Sequence, residues 1–267
     1  MKLQHIISTM HRSDFSVLQP MNCRCDMLVV NQCDVEKTER CAINECVAEM
    51  IYTTQRGLSN SRNMLLENAT GDIVIVGDDD LTYVDGYEKI IKQAYDEHPE
   101  ADIIVFNFTD RKNNNPRKYS AKPKRISIFE ISKVASVEVT MRLNKVKEKG
   151  LYFDSLLGLG SVFCAGEENA FLADCLRAKL KIVYVPQVIC YSPPATENNK
   201  KWKTGFDKDY FIKRGACFYR IYKIAFLFFT LAFVLLKKRT VFKNVPFFKA
   251  IGWMCEGKRE YKKAAKE

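Results

Sequence analysis

The chain has ten cysteines, yet no two stand at a metal-ligand spacing. Cys23 and Cys25 are one residue apart and the others are scattered. That pattern excludes a cysteine-built zinc framework. The start, MKLQHIISTMHRSD, lacks the long apolar core of a secretory leader. A cytoplasmic protein with reduced thiols is the expectation. The sequons Asn68-Ala69-Thr70 and Asn107-Phe108-Thr109 then carry no meaning. The stretch HIISTMHRSD, His5 to Asp14, contains no glycine. A nucleotidyltransferase would want a glycine-rich, basic loop near its first strand, so that class is the weaker alternative. No internal repeat is present. The apolar tail segment Ile224 to Leu236 has 13 residues, short of the roughly 20 needed for a helical membrane span.

Charge is present but unevenly divided. Residues 201–267 hold 17 Lys and Arg against 5 Asp and Glu, a balance of +12. Residues 1–200 hold 25 against 27, a balance of −2. The basicity therefore belongs to the tail, and the body reads as a near-neutral enzyme. A basic nucleic-acid-binding protein is the third reading, and the carboxylate-rich body counts against it. Two units are expected, a catalytic domain over residues 1–200 and a basic, apolar extension over residues 201–267.

Strand candidates alternate with helical segments, the pattern of an α/β sheet. Leu3–Thr9, Cys25–Asn31, Val47–Thr54, Ile73–Val76, Ala101–Phe108 and Lys181–Val185 read as strands. Ser59–Ala69, Asp85–Glu97 and Glu167–Lys179 read as helices. Arg111–Arg125, with three consecutive Asn and two Pro, reads as a surface loop.

The most informative stretch is GDIVIVGDDDLTYVDGYE, Gly71 to Glu88. An apolar strand breaks at Gly77 and opens into Asp78, Asp79 and Asp80. Three adjacent carboxylates are too costly to bury unpaired. A solvated acidic turn is the plain alternative. A strand end that gathers negative charge suits a hard cation shared with a substrate phosphate. The second informative block is SVFCAGEENAFLADCLRAKLKIVYVPQ, Ser161 to Gln187. Taken alone, Glu167 and Glu168 read as acidic residues favoured in a helix's first turn. The functional alternative is a general base taking a proton from an attacking hydroxyl.

In combination, RGLSNSRN (Arg56 to Asn63), VGDDD (Val76 to Asp80) and GEEN (Gly166 to Asn169) resemble a family 2 glycosyltransferase of the GT-A fold. The resemblance covers about residues 1 to 200. It implies an α/β fold with a mixed, mostly parallel sheet flanked by helices, followed by a basic, apolar helical tail. It implies an inverting transferase that takes a sugar from a nucleotide diphosphate donor, a UDP-sugar, with Mn²⁺ or Mg²⁺. Asp78 and Asp80 match the metal-holding DxD positions, with Asp79 between them on the donor side. Glu168 matches the usual catalytic base, and Glu167 the carboxylate before it. Arg56 matches the donor-facing segment. Thr9, at the end of the first strand, matches the start of the nucleotide pocket. Asp34 resembles the acidic residue that contacts the base. Many relatives carry a further metal ligand, a histidine, after the second motif. The only histidines here are His5, His11 and His98, so the cation would rest on aspartate, diphosphate and water. Leu151 to Gly160, which includes Asp154, is read as an acceptor-side wall or as a plain connecting loop.

The tail mixes aromatics and lysines around Ile224 to Leu236: Lys237, Lys238, Arg239, Phe242, Phe247, Phe248 and Trp253. Such a mixture suits an anionic membrane interface. A single span and a helix packed on the body are the alternatives. The expected activity is glycosyl transfer to a glycan or lipid-linked acceptor in surface polysaccharide synthesis, on the inner face of the membrane, with no nucleic-acid partner.

Overall fold

The computed structural model describes residues 1–110, 120–193, 206–238 and 245–266. Most of the expected Arg111–Arg125 loop lies outside them, as do the 200/201 boundary, Arg239 and Phe242. The strands are β1 (Leu3–Met10), β2 (Asp26–Gln32), β3 (Lys37–Ile43), β4 (Cys46–Thr53), β5 (Ile73–Asp78), β6 (Thr82–Tyr83), β7 (Ile103–Asp110), β8 (Lys124–Arg125), β9 (Val139–Arg142) and β10 (Ile182–Ser192). They form one sheet in the order β3-β4-β2-β1-β5-β9-β7-β10-β6, with β8 on β10. β1, β2, β4 and β5 are joined in parallel, as are β7 and β10. β9 runs antiparallel between β5 and β7, so both sets point the same way. The sheet is thus mixed, with six strands in one direction and β3, β6, β8 and β9 opposed.

The central strands are apolar on both faces, as expected of strands covered on both sides. On β1, Ile6 enters one core with Leu28, Val76, Leu65 and Phe171. Its neighbour Ile7 enters the other with Val29, Ile75, Tyr87 and Ile91. The helices are α1 (Leu58–Asn68), α2 (Tyr87–Glu97), α3 (Leu143–Glu148), α4 (Glu167–Arg177), α5 (Lys208–Tyr222), α6 (Phe226–Lys238) and α7 (Phe247–Ala264). α1 packs on β1 and β2, α2 packs on β10, and α4 carries α5.

The sequence reading placed the central strands and the first helices within a few residues. It missed β3, whose KTERCAI is mostly exposed and charged. Such polarity suits a protected sheet edge and hides a strand from an apolar-run search. Asn44 and Glu45, both at positive φ (49° and 65°), close the β3–β4 hairpin. It also missed β9 and α3, and it ended the last strand at Val185, whereas β10 continues past a register shift to Ser192.

The C-terminal helices divide into two kinds. α5 and α7 are docked: Phe211, Ala216, Cys217, Ile221, Ala250 and Met254 share the core of Phe171 and Leu172. Their backbones touch at two glycines. A Cβ on Gly215 would strike the Met254 backbone, and one on Gly257 would strike Ile212. α6 behaves differently. Leu227, Phe228, Leu235 and Leu236 are exposed, and Ile224 just before it is fully so. The stretch Lys208–Lys237 is long and apolar enough to cross a membrane by length and composition. It is broken at Lys223 (φ 47°), and one face of its first half is buried in the body.

Candidate active site

The parallel strands bring their carboxyl ends to one edge of the sheet, where α/β proteins bind ligands. A cavity of about 740 Å³ opens there. Its wall takes Ser8, Thr9 and Met10 from β1, Gln32 from β2, and Asp78, Asp79 and Asp80 from the end of β5. Arg56, Gly57, Leu58 and Arg62 come from the start of α1, Glu167 and Glu168 from the start of α4. The two motifs, nearly ninety residues apart in sequence, therefore face one space.

Arg62 joins them. It is almost wholly buried, 2% exposed. Its guanidinium donates to Glu167 Oε1 at 2.8 Å and to Asp78 Oδ1 at 3.4 Å, and it lies 5.5 Å from the Phe153 ring centroid. The same face of α1 anchors the loop before α4. Ser59 Oγ donates to the Leu157 carbonyl at 2.7 Å. Asn63 pairs with both backbone groups of Phe153, at 2.9 and 2.7 Å. Gly158, at φ 100°, lets that loop lie against Glu167: a Cβ there would sit 3.3 Å from the carboxyl group. Leu159 and Gly160 continue the loop into the cavity wall. Asp154, on the same segment, turns away from the cavity and towards the tail. It accepts from Arg220 Nε at 2.6 Å and from Tyr261 Oη.

The five carboxylates differ in their partners. Asp79 accepts from the Thr9 hydroxyl and from Arg12 Nη2, the latter at 2.8 Å. Glu167 is committed to Arg62. Asp78 is raised above the usual carboxylate range by burial, which Arg62 only partly offsets. Asp80 is raised by burial and then by Asp78 and Asp79, and no ion pair to it is seen among the described residues. Glu168 is pushed up to about 8, first by burial and then by Glu167 beside it. At neutral pH it holds a proton.

Of the sequence-nominated residues, Thr9, Arg56, Asp78, Asp79, Asp80, Glu167 and Glu168 all line the cavity. Asp34 does not. Its side chain is 87% exposed and pairs with Arg56 at 2.5 Å on the rim, while Arg56 also ties down the carbonyls of Cys33 and Thr54. Sequence reasoning missed Arg12, Gln32 and Arg62. Arg62 had a visible signal, a lone cation on the buried face of a helix between two carboxylate motifs.

Among the described residues, no three His, Cys, Asp or Glu side chains form a ready-made cage. The donors are nevertheless hard carboxylate oxygens, and five carboxylates face three guanidiniums across the cavity. That set fits a Mg²⁺-like ion held by one or two aspartates together with substrate phosphate and water.

A sequence model described as glycosyl transferase family 2 matches residues 15–151, just over half of the chain. No curated protein sequence matches. Among solved structures, S. aureus TarS 1–349 in complex with UDP-GlcNAc superposes with a TM-score of 0.62 at 14% identity, over 91% of this chain and 74% of that one. The same protein in complex with UDP gives 0.59 at 13% identity with the same coverage. S. aureus TarS 1–349 alone gives 0.60 at 13% identity, over 99% of this chain and 92% of that one. At such identities the likeness speaks for the fold.

Proposed function

The chain belongs to glycosyl transferase family 2, and from that premise we propose that it is an inverting, metal-dependent transferase. It moves a sugar from a UDP-type donor to a hydroxyl of a glycan or lipid-linked acceptor in surface polysaccharide synthesis. The observation that carries this reading is the convergence of two carboxylate motifs on one cavity, with Arg62 hydrogen-bonded to Glu167 of one and Asp78 of the other. The UDP and UDP-GlcNAc bound to structurally similar TarS support a uridine donor.

The geometry supports the following roles. Glu168 takes the proton of the acceptor hydroxyl as its oxygen attacks the anomeric carbon. One displacement inverts that centre. Because Glu168 is half-buried and raised to about 8, its basic form grows as pH rises through neutrality, near where a general base works best. Glu167, pinned by Arg62 and by the Gly158 loop, fixes the start of α4 and with it the direction of Glu168. Asp78 and Asp80 would hold the Mn²⁺ or Mg²⁺, which when bound supplies charge neutralisation for the departing diphosphate. Thr9, Asp79 and Arg12 form a hydrogen-bonded wall on the donor side, and Arg56 with Asp34 shapes its rim. Leu159 and Gly160 line the acceptor approach.

The tail is proposed to set the enzyme on the inner face of a membrane. α5 and α7 seat it on the body, and α6 presents Leu227 and Phe228 outward. Lys258 Nζ lies 5.2 Å from the Phe226 ring and 5.4 Å from the Tyr219 ring. An apolar helix flanked by lysines suits an interfacial position better than a span, since the candidate span is broken at Lys223 and one face of its first half packs in the protein core.

The test is nucleotide-sugar turnover with and without Mn²⁺, in the native chain and in Asp80→Asn. Loss of donor binding and transfer in the variant, with an unchanged circular dichroism spectrum, is expected. Transfer undiminished by EDTA, or full activity in Asp80→Asn, would overturn the metal–diphosphate reading.

A further inference from the structure

Asn169 follows Glu168 in the first turn of α4 and is buried, 5% exposed. Asparagine is a poor helix former, and a buried amide is costly unless it is paired. Here the pairing leads away from the helix. Asn169 Nδ2 donates to the Ile131 carbonyl at 2.9 Å and to the Val134 carbonyl at 2.8 Å. Two carbonyl acceptors fix which way round the amide sits, since only its nitrogen donates. Those carbonyls belong to a strap, residues 127–138. At its start Phe129 packs on Phe229 of α6, with ring centroids 5.5 Å apart. Near its end Ala135 and Ser136 line the cavity. Between them a single helical turn, Ile131–Lys133, gives way to extended backbone at Val134. Asn169 grips the chain at that change of direction, one residue before the cavity wall. Ser136 and Glu168 also bound a second, small void of about 10 Å³ with Phe153 and Phe171, so the wall lies beside the proposed base. Ser127 and Ala135 are tied within the strap, to Glu130 and Glu138. Asn169 ties the strap to the helix that carries Glu168.

We propose that Asn169 is a positioning residue: it holds the Ala135–Ser136 wall in place against Glu168, so that the base and the bound sugar meet at reacting distance. The inference rests on the reading of this cavity as a transferase site. A general base acts on a hydroxyl within about 2.6–3.2 Å of it, and a displacement of about 1 Å can cost roughly 10²-fold in rate. The wall is not part of α4, so its place relative to Glu168 has to be set by contacts between the two. Ile131 and Val134 are buried in the core that Phe171 of α4 shares. Apolar burial presses the strap down but is non-directional; the two hydrogen bonds supply the direction. An amide nitrogen has two N–H groups and holds both carbonyls. A hydroxyl would hold one, and a carboxylate neither.

The experiment follows UDP release from UDP-GlcNAc and UDP-glucose in the presence of Mn²⁺, with water standing in for the acceptor hydroxyl. It compares the native chain, Asn169→Ala, Asn169→Gln and Arg220→Met, below the lowest of their melting temperatures, with UDP binding measured by calorimetry. Asn169→Ala is expected to lose at least about tenfold in kcat while KM and UDP affinity stay within about twofold of native. Asn169→Gln restores the two N–H groups and should turn over faster than Asn169→Ala. Arg220→Met is destabilised away from the cavity and should keep the native kcat, which separates positioning from loss of stability. If Asn169→Ala does not fold, Asn169→Ser, which keeps one donor, is held to the same outcome. Three results overturn the role of Asn169 and leave the transferase reading standing. One is native kcat in the Asn169 variant without the amide, or in that variant a loss of UDP affinity as large as its loss of kcat. Another is Asn169→Gln no faster than Asn169→Ala. The third is an equal loss of kcat in Arg220→Met. If the native chain releases no UDP from either donor, the transferase reading itself falls and takes this inference with it.

Discussion

Arg62 and Arg220 are built alike and surrounded differently. Each is a largely buried guanidinium bridging two carboxylates from separate elements: Arg62 holds Asp78 and Glu167, and Arg220 holds Asp154 and Asp174. Around Arg220 the charges close. Arg177 adds a second cation on Asp174 at 2.8 Å. Burial works to raise Asp174, but hydrogen bonds and charge from Arg220 and Arg177 outweigh it and hold the carboxyl below its usual range. Around Arg62 the charges do not close. Burial wins at Asp78, which is raised despite Arg62, with Glu167 and Asp79 pushing it further. The seam between tail and body is a finished ion cluster, and the cleft is an unfinished one. A buried pair alone is weak evidence for anything. The residual charge is what separates the structural cluster at the tail from the cluster in the cavity.

The largest expected effect tests the unfinished side. Glu168→Gln should cut turnover by roughly 10²–10⁴, the range of a lost general base, with donor affinity nearly unchanged. Glu167→Gln, which strips Arg62 of its closest partner, should show up first in stability. Steady-state kinetics beside thermal melts separates the two. Should Glu167→Gln lose the turnover and Glu168→Gln keep it, the base has been assigned to the wrong carboxylate.

The finished side should answer in stability alone. Arg220→Met leaves Asp154 and Asp174 without their shared cation, at a cost of about 3–5 kcal/mol, or roughly a 10 °C fall in Tm. Donor binding by the surviving folded protein should be unaffected. Arg62→Met should be milder at pH 5 than at pH 8, because carboxylates already inclined to keep their protons can do so. Equal losses at both pH values would erase the contrast drawn between the clusters.

The fold and the carboxylates were legible because each is local. Apolar runs such as Ile73–Val76 name buried strands, and DDD after a glycine names a charged strand end. Gly166-Glu167-Glu168 opens α4 in the structure as it does in the sequence. The cavity residues that escaped, Arg12, Gln32 and Arg62, are defined by distance in space. Arg62 matters because α1 aims it between motifs that lie before and after it in sequence. Asp34, nominated for a base contact, stands on the rim paired with Arg56. The tail was read as one unit from its charge and hydropathy. Only the close approach of α5 and α7 through Gly215 and Gly257 shows that two of its helices are docked tightly, while α6 buries one face and exposes Leu227, Phe228, Leu235 and Leu236.

Smaller and slower to measure is the effect of pH on stability, where the clusters should pull in opposite directions. Glu168 has a folded-state pKa raised from 4.5 to about 8. Between those values the folded chain keeps a proton that the unfolded chain has lost, so stability falls as pH rises through that window. Glu168→Gln removes this slope, and it should raise Tm at pH 8 while leaving it nearly unchanged at pH 4.5. Asp174, lowered in the folded state, gives stability that is present above its unfolded pKa of 3.8 and is lost as pH falls through the folded value. A Tm curve that Glu168→Gln leaves parallel to the native one would sink the raised carboxyl.

The smallest expected effect per substitution belongs to the exposed helix between the two docked ones. Each lysine near an anionic surface contributes about 1 kcal/mol, roughly fivefold in affinity. Lys258 and Lys262 face Tyr219, within 5.4 and 6.0 Å of its ring, beside the outward Leu227 and Phe228. Replacing both lysines by alanine should weaken flotation with phosphatidylglycerol vesicles by about an order of magnitude. It should leave binding to neutral phosphatidylcholine vesicles, whatever its level, unchanged. Phe228→Asp should act through the other component, the burial of apolar surface that salt does not screen. Raising salt should therefore mimic the double lysine variant and fail to mimic Phe228→Asp. Because α5 and α7 seat the helix on the body, none of these changes should alter donor binding. Native protein that ignores phosphatidylglycerol vesicles, or flotation indifferent to both salt and Phe228→Asp, would remove the membrane from the comparison. It would leave α6 as an exposed strip without that partner.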